Sequence, residues 1–457
     1  MSATTVATLA GELTVPPLFP GDAGYAAEVA GFNSAVVHRP DLVVAATSTA
    51  DVQAALRHAT DRRLPVAVQA TGHGATTRFT RGLLISTRRM SAVHIDPAGQ
   101  TATVAAGARW RDVIDAAAPH GLAPLSGSSS GVGAVGYTLG GGLPVMCRTF
   151  GFAADAVRAV ELVTADGTVH RSDADHEPEL LWGACGGKGN LGIVTEMTIA
   201  LVPVSTVYGG GIFYAAESTA DVLHAYPDWA ATLPEQTSTS VAILRLPPAP
   251  QLPEPLRGRT VAHLRVCHVG DARAGQRLLA PMRALAPALV DQIGELSYTA
   301  FDAIHADPDH PVPVCQRGEL LRDVTAETID ALLAVAGPDV RTPLIVGELR
   351  QLGGALTRGP AAGNAVSGRD AAYCLSAVAM LTPESMRAAP AAVDAVIDAA
   401  RPWSYGSTLV NLHGAPGDEV DRARAWDPAT YERLVELSRR LDPDGLFSHE
   451  HAVGRQV

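Results

Sequence analysis

The sequence predicts an α+β protein of more than one domain, and three observations support this. Short apolar runs, typical of buried strands, alternate with segments whose apolar residues recur at helical spacing. An Asp-Gly turn signal at Ala165-Asp166-Gly167 stands between two strand-like runs and indicates a β-hairpin. With 457 residues and 47% hydrophobic content, the chain is long enough for two or three domains with sizeable cores.

The first half of the chain carries the clearer pattern. Strands are expected in the apolar runs Leu42–Ala46, Pro65–Val68, Leu83–Ser86, Thr101–Val104, Val160–Val163, Thr168–His170 and Ile193–Thr195. Helices are expected after the capping residues Ser48 or Thr49, from about Trp110 to Ala118, and from Pro178 to Ala184. This mixture predicts a small α+β unit over residues 38–204, preceded by an N-terminal segment, 1–37.

The second half differs in character. Proline-rich linkers occur at Leu246–Pro250 and Pro308–Pro313, and strand-like runs alternate with helices such as Thr325–Val335. We therefore expect a second domain over residues 205–402, with an antiparallel sheet covered by helices. A C-terminal segment, 403–457, contains a helix over Pro428–Leu441.

Composition excludes several function classes. A net charge of −12 argues against nucleic-acid binding, which needs a clustered basic surface. No run of about 18 apolar residues predicts a membrane span, and the first residues lack an export signal, so a cytoplasmic protein is expected. Five cysteines stand singly, which suggests neither a disulfide framework nor a zinc site: Cys147, Cys185, Cys267, Cys315 and Cys374.

Two glycine-rich stretches frame the first half and point to a ligand. Ala70-Thr71-Gly72-His73-Gly74 follows a predicted strand, and a longer stretch runs from Ser126 to Gly142. Glycine allows positive φ and lets backbone N–H groups approach a phosphate or a flat cofactor closely. Within such a turn His73 is either a hydrogen-bonded turn residue or a ligand-bearing group.

The second stretch contains G-x-G-x-x-G, the sequence of the dinucleotide-binding fingerprint. Gly131-Val132-Gly133-Ala134-Val135-Gly136 follows Ser-rich sequence rather than a buried strand, and Gly140-Gly141-Gly142 and Pro144 come soon after it. The fingerprint requires a strand before it and a long helix after it. The sequence therefore does not predict a Rossmann fold.

The ordered set of motifs resembles the FAD-linked oxidases of the vanillyl-alcohol-oxidase superfamily, and specifically the berberine-bridge-enzyme-like branch. The motifs are Val68–His73, Val132–Gly136 with its triple glycine, Arg148–Gly151 with Asp155, Trp182 with Gly186–Thr195, and Tyr431–Leu434 with Leu441–Pro443. The resemblance is strong over residues 38–204, weak through the middle, and returns from Trp403 to the end. It implies a two-domain PCMH-type FAD-binding fold, in which the C-terminal segment returns to the FAD domain.

The resemblance implies covalent FAD attached at His73. Relatives often add a second bond from a cysteine, but Ser129 stands at that position and cannot form a thioether, so a single linkage is expected. Other positions that match the family's cofactor contacts are Thr71, Gly72, Gly74, Gly127, Ser128, Val132, Gly133, Asn190, Gly192 and Val194. Tyr137 stands where relatives carry a histidine beside the flavin, and is either a donor to the reduced ring or a packed side chain.

Two further features have alternative interpretations. Lys188 would neutralise phosphate or lie solvated in an exposed turn. The cluster His449-Glu450-His451, with His413 upstream, superficially suggests a metal, but two histidines at alternate positions do not supply three converging ligands. We therefore expect no metal.

The catalytic base is not inherited from the family. Leu143 stands where some relatives place a catalytic tyrosine, and Arg358 stands where the plant enzymes place a glutamate, although a guanidinium cannot act as a base near neutral pH. Three residues expected on the substrate side are candidates instead: Tyr405, His413 and Glu348. A substrate that ionises by itself, such as a phenol or enol, would need no base.

The resemblance implies an oxidase that transfers a hydride from a small organic or secondary-metabolite substrate to flavin, with molecular oxygen as the second substrate. Three alternatives remain at this level: a dehydrogenase of the same fold, a tailoring enzyme that catalyses an oxidative rearrangement, and a drug-binding flavoprotein without catalysis. A monomer or homodimer is expected.

Overall fold

The first part of the chain folds around a small parallel sheet. A computed structural model describes residues 9–447 and 451–454. After helix α1 (Tyr25–Val29), the sheet has the order β1-β3-β2, and its elements are β1 (Leu42–Ala45), α2 (Thr49–Arg62), β2 (Val66–Gln69) and β3 (Leu83–Ser86). The Ser48 hydroxyl accepts from the Asp51 N–H and caps α2, as its sequence position predicts.

A five-stranded antiparallel sheet follows, in the order β4-β5-β8-β6-β7. Its strands are β4 (Val93–Asp96), β5 (Thr101–Ala105), β6 (Val157–Val163), β7 (Val169–Asp173) and β8 (Ile193–Ala200). The associated helices are α3 (Trp110–Ala117), α4 (Ala134–Leu139), α5 (Cys147–Phe150) and α6 (Pro178–Ala184). The predicted hairpin is confirmed as β6–β7, and the Asp166 carboxylate accepts from the Thr168 N–H at 3.0 Å within its turn.

The second part is a large antiparallel sheet in the order β12-β9-β11-β10-β15-β16-β14, with β13 paired to β9. Its strands are β9 (Thr206–Ala215), β10 (Thr237–Arg245), β11 (Thr260–His268), β12 (Ala288–Asp291), β13 (Gly294–Ser297), β14 (Val314–Leu321), β15 (Leu344–Gln351) and β16 (Tyr373–Met380). Four helices are associated with it: α7 (Thr219–Ala231), α8 (Ala272–Leu285), α9 (Ala326–Ala336) and α10 (Ala388–Ala400). The sheet predicted to be antiparallel and covered by helices is therefore present.

The two faces of this sheet have different environments. On one face, Ile212, Val241, Leu264 and Leu349 belong to a hydrophobic core that they share with residues of all four helices. The alternate residues point the other way. Ser238 of β10 contacts Cys147 and Arg148 of the first part of the chain, whereas Phe213, Ala242 and Leu244 pack in a separate cluster within the second part. The expected division near residue 204 lies between β8 and β9, in a segment that joins the two sheets.

The C-terminal segment contains α11 (Glu419–Ala423) and α12 (Pro428–Leu441), and it returns to the first sheet. The Val66 N–H donates to the Leu446 carbonyl at 2.8 Å, so the end of the chain lies beside the strand that leads to His73. Within the described ranges, no helix combines the length and apolar character that a bilayer span requires.

Candidate functional site

The turn after β2 presents His73 in a fixed position. Gly72 has φ +72°, and a Cβ there would lie 2.6 Å from the Gly31 backbone, so the turn requires glycine at this position. The Phe32 N–H donates to the Thr71 carbonyl at 2.9 Å. The Phe32 ring stacks on the His73 imidazole with 3.8 Å between centroids and 12° between planes. Backbone pairing and ring stacking together hold the imidazole orientation.

The two His73 ring nitrogens differ in their contacts. Nδ1 lies 2.9 Å from Thr71 Oγ1. Nε2 is buried and has no hydrogen-bond partner among the described residues. Burial, followed by the charge of Arg109, lowers the pKa of His73 to about 4. His73 is therefore a neutral imidazole near pH 7, with one nitrogen hydrogen-bonded and the other available for a ligand.

Thr71 also connects this turn to the second glycine-rich stretch. Its Oγ1 accepts from the Gly133 N–H at 3.3 Å. The loop before Gly133 is held by Asp302, whose carboxylate accepts from the Ser130 N–H and Ser130 hydroxyl, each at 2.7 Å. Arg111 donates to the same carboxylate at 2.7 Å. The loop that carries Gly127, Ser128, Ser129 and Val132 is thus fixed next to His73.

Tyr137 lies between two glycines of this stretch. A Cβ on Gly127 would lie 2.7 Å from its ring, and a Cβ on Gly142 would overlap the ring outright. The Tyr137 hydroxyl is buried and finds no acceptor or donor within the described part of the chain. Burial raises the pKa of this phenol well above its ordinary value, so the hydroxyl stays neutral and can donate.

These features fit the cofactor that the sequence predicts. Two buried polar atoms without partners, His73 Nε2 and Tyr137 Oη, are located on the two glycine-rich segments that Thr71 joins. Buried polar groups are rarely left unpaired in native structures, and a ligand between these two segments would supply a partner to both atoms. The glycine-rich sequence itself leaves backbone that a flat cofactor can approach. The residues present therefore fit FAD.

The structure places Gly74 beside His73 and places Asn190, Gly192 and Val194 in and after a different turn. The Asn190 side chain holds the C-terminal segment: it donates to the His451 carbonyl at 3.1 Å and accepts from the Val453 N–H at 2.9 Å. A Cβ on Gly192 would lie 2.6 Å from the Val163 carbonyl, and Val194 is buried in β8. The side chains at these positions contact protein.

Lys188 bridges segments that are distant in sequence. Its Nζ donates to Asn411 Oδ1 at 2.6 Å, and the Asn411 amide donates to the Tyr137 carbonyl at 2.8 Å. A Cβ on Gly74 would lie 3.8 Å from the same Nζ. Sequence analysis missed Asn411, because a single asparagine in Leu409–Leu412 carries no pattern of its own.

A cavity lies between this region and the second sheet. Its lining residues are Pro144, Val145, Cys147, Ser238, Thr239, Ser240, Arg265, Val266, Cys267, Ile304, His305 and Arg350. Arg265, Arg350 and His305 were also missed by sequence analysis. The sequence does carry a signal for the two arginines. In His263-x-Arg265 and Glu348-x-Arg350, two polar or charged residues stand two positions apart in an otherwise apolar strand, so the side chains of each pair lie on the same face of the sheet.

Glu348 lies at the centre of a buried ionic cluster behind this cavity. It accepts from Arg265 Nη1 at 2.8 Å and from Arg350 Nη2 at 3.1 Å. His305 Nε2 lies 3.7 Å from the same carboxylate. The charges of Arg350 and Arg265 outweigh the effect of burial and hold the pKa of Glu348 well below its ordinary range. Glu348 is therefore an ionised counter-ion, and a weak base.

The other two candidate bases lie elsewhere. Tyr405 is 37% exposed and is absent from the cavity lining. His413 is buried, with Nε2 3.4 Å from Asp421 Oδ1 and its ring 5.4 Å from that of His451. Arg358 pairs with Glu235 at the surface. The structure does not bring Tyr405, His413 and Glu348 together.

The described residues contain no group of three or more histidine, cysteine or acidic side chains placed to hold a metal ion. His449 and Glu450 lie outside the described residues. The five cysteines form no disulfide. The G-x-G-x-x-G segment does not have the Rossmann arrangement, as the sequence predicts. Its helix, α4, has six residues, and no strand directly precedes it.

Comparison with known proteins supports a FAD enzyme. Residues 40–173 match the family model of a FAD binding domain. The chain is 25% identical to (R)-6-hydroxynicotine oxidase of Paenarthrobacter nicotinovorans, over 95% of this chain and 96% of that protein. A crystal structure of 6-hydroxy-D-nicotine oxidase from Arthrobacter nicotinovorans superposes with a TM-score of 0.83 at 24% identity, covering 96% of this chain and 98% of that one.

More distant structures share the same architecture. The berberine-bridge-enzyme-like protein 1 of Physcomitrella patens gives a TM-score of 0.84 at 19% identity and covers 99% of both chains. The xylooligosaccharide oxidase of Myceliophthora thermophila gives 0.84 at 18% identity, covering 99% of this chain and 100% of that one. With the matched domain and the full-length relative, these observations identify the chain as a FAD-dependent oxidoreductase, and its fold is that of the berberine-bridge-enzyme-like structures.

Proposed function

We propose that this protein is an oxidase that holds FAD through a single covalent bond to His73 and oxidises a small organic substrate. FAD supplies the hydride acceptor when bound, and molecular oxygen takes the electrons onward to give hydrogen peroxide. The observation that carries the proposal is the His73 imidazole, which is neutral, oriented by Phe32 and Thr71, and unpartnered at Nε2 among the described residues. Ser129 offers no thiol for a second bond.

The geometry supports the following cofactor-binding roles. Thr71, Gly72, Gly74, Gly127, Ser128, Val132 and Gly133 would line the cofactor through backbone that the two fixed turns present. Tyr137 would donate from its neutral hydroxyl to an acceptor atom of the cofactor. Asn190, Gly192 and Val194 would shape the site indirectly, because Asn190 anchors the C-terminal segment and the other two pack in the sheet.

The substrate would lie at the cavity between Cys147 and the second sheet, whose enclosed space of about 20 Å³ must widen around it. Among its described lining residues, the arginines have no acceptor atom and burial raises the pKa of Cys267 to about 12. Burial and the nearby arginines lower the pKa of His305, so its ring is neutral near pH 7. Because Nε2 of this neutral ring accepts from Arg350, Nδ1 carries its proton. We therefore propose that His305 contacts the substrate as a hydrogen-bond donor and that the substrate ionises by itself, with Glu348 positioning the two arginines.

One structural neighbour supports keeping a dehydrogenase as the second candidate. Variants of the pollen protein Phl p 4 are described as a glucose oxidase and as a glucose dehydrogenase, so one fold carries both activities. The fold alone therefore does not decide how the reduced enzyme is reoxidised.

The proposal is tested first on the purified protein. Acid precipitation should leave the yellow colour in the protein pellet, and His73→Ala should release it to the supernatant. A substrate panel of alkaloids, sugars, polyketides and hydroxy acids should then contain a compound that bleaches the flavin anaerobically. Return of the colour in air with peroxide formation supports the oxidase. Slow return that only an artificial acceptor accelerates would support the dehydrogenase instead.

A further inference from the structure

We propose that the substrate is an organic monoanion whose carboxylate binds Arg350 and Arg265 in the cavity; this inference rests on the proposed function, because it assigns the cavity to the substrate. The starting observation is the balance of buried charge. Two guanidinium groups, Arg265 and Arg350, surround one carboxylate, Glu348, and this leaves one uncompensated positive charge.

The histidines around the cluster do not change this balance. His263 Nδ1 lies 3.1 Å from Arg265 Nε, and His305 Nε2 lies 3.3 Å from Arg350 Nη2. An arginine nitrogen can only donate, so each histidine presents an acceptor nitrogen to its arginine. Burial and the arginine charges lower the pKa of both rings. Both histidines are therefore neutral, and the excess positive charge remains.

The groups on the opposite wall supply no counter-ion. Cys147 lines the cavity from the first part of the chain, and burial raises the pKa of its thiol. Tyr137 is neutral for the same reason. A buried charge without a partner is strongly unfavourable, so a ligand that restores neutrality would bind well here.

Arg350 has the free donors that such a ligand needs. Its Nη2 contacts Glu348 and His305, while Nη1 and Nε donate to no residue in the described ranges. Both bidentate edges of a guanidinium include Nη2, so a carboxylate would accept from Arg350 through Nη1, as a single charge-assisted hydrogen bond. A single excess charge matches a monovalent carboxylate better than a phosphate, which carries more than one charge.

The test uses the holoenzyme and a panel of three carboxylates, acetate, pyruvate and benzoate, each paired with its amide. Binding is measured by calorimetry and by the perturbation of the flavin spectrum. At least one carboxylate should bind at least about tenfold more tightly than its amide, since hydrogen bonds to charged groups typically contribute that much. Equal binding of carboxylate and amide throughout the panel, or tighter binding of inorganic phosphate, would overturn the inference.

Substitutions at two residues, with opposite expected effects on carboxylate binding, separate this role from a structural one. Arg350→Gln should remove the preference for carboxylate, and Arg350→Lys should retain part of it. Glu348→Gln should tighten carboxylate binding about tenfold, because it leaves both positive charges uncompensated. Arg358→Gln, at an exposed ion pair, is the matched control and should change nothing.

If Arg350→Gln keeps the preference, or Glu348→Gln weakens carboxylate binding in a folded protein with normal flavin content, the inference is wrong. Failure of the oxidase proposal gives a different result. If the protein binds carboxylates as expected but makes no peroxide with any substrate that bleaches the flavin, this inference stands and the oxidase proposal is contradicted.

Discussion

Thr71 Oγ1 lies 2.9 Å from His73 Nδ1 and also accepts the Gly133 N–H, so one hydroxyl joins the two glycine-rich segments of the site. This contact occupies one imidazole nitrogen and leaves the other buried without a partner in the described chain. The relationship explains why a threonine precedes the Gly-His-Gly turn, and it leads to the first prediction.

We expect FAD to be attached through His73 Nε2. Thr71→Val, which keeps the shape but removes the hydroxyl, should lower the covalently bound fraction severalfold, because the imidazole loses the contact that orients it. Thr71→Ser, which keeps the hydroxyl, is the matched control. Flavin retained after acid precipitation measures the fraction, and NMR of the isolated flavin peptide identifies the nitrogen. A bond at Nδ1 would contradict the prediction.

The Asp302 carboxylate should be needed to keep the Ser126–Gly131 loop in place. Asp302→Ala removes three hydrogen bonds, two from Ser130 and one from Arg111, and should lower total flavin content and thermal stability. Each hydrogen bond of this kind contributes roughly 1 to 3 kcal/mol. Asp309→Ala, at an exposed neighbouring position, should leave both properties unchanged. Flavin content of wild-type level in the Asp302 variant would show that the loop is held in another way.

Gly142 should not tolerate a side chain. It has φ +68°, and a Cβ there would overlap the Tyr137 ring, so Gly142→Ala must displace the ring or the backbone. We expect a destabilisation of about 1 to 3 kcal/mol and reduced flavin binding. Gly294→Ala is the control, because a Cβ at Gly294 would meet nothing within 4 Å. Unfolding curves and flavin absorbance measure the two effects; a Gly142 variant as stable as the control would argue against this packing.

The proposed contact between His305 and the substrate makes a kinetic prediction. His305→Phe keeps a ring but removes the Nδ1 donor, so it should slow anaerobic flavin bleaching by roughly three- to tenfold while flavin content stays normal, because a hydrogen bond contributes about 1 kcal/mol. His310→Phe, at an exposed histidine, should bleach at the wild-type rate. A His305→Phe variant that bleaches as fast as wild type would show that His305 does not contact the substrate, and a loss of roughly 10²-fold or more would instead identify a general base.

Buried neutral histidines should also make the fold sensitive to acid. Burial lowers the pKa of His263 well below its ordinary value. Below about pH 6.5 the unfolded chain therefore binds more protons than the folded chain, and stability falls as the pH falls. His263→Gln should flatten this dependence, whereas exposed His310→Gln should not. Thermal unfolding at pH 7, 6 and 5 measures the slopes, and parallel curves for wild type and His263→Gln would contradict the assignment.

The sequence by itself determined the elements whose signals are local. Ser48 caps a helix, Asp166-Gly167 makes a hairpin, and Gly72-His73-Gly74 makes a turn, because each depends on a few adjacent residues and on the backbone freedom of glycine. The order of the glycine-rich motifs also predicted the FAD binding domain that residues 40–173 match. Strand β4 was missed, since Val93–Asp96 alternates burial over only four residues.

Only the tertiary structure decided the substrate side of the site. Glu348, Arg265 and His305 are separated by 40 residues or more, and a buried ion pair depends on which strands become neighbours and on how far water is excluded. Sequence analysis selected Glu348 as a candidate base, but pairing with two arginines makes it a counter-ion. Tyr405 and His413 lie apart from the cavity, because the loop that carries them follows the edge of the sheet at β14 rather than its polar face.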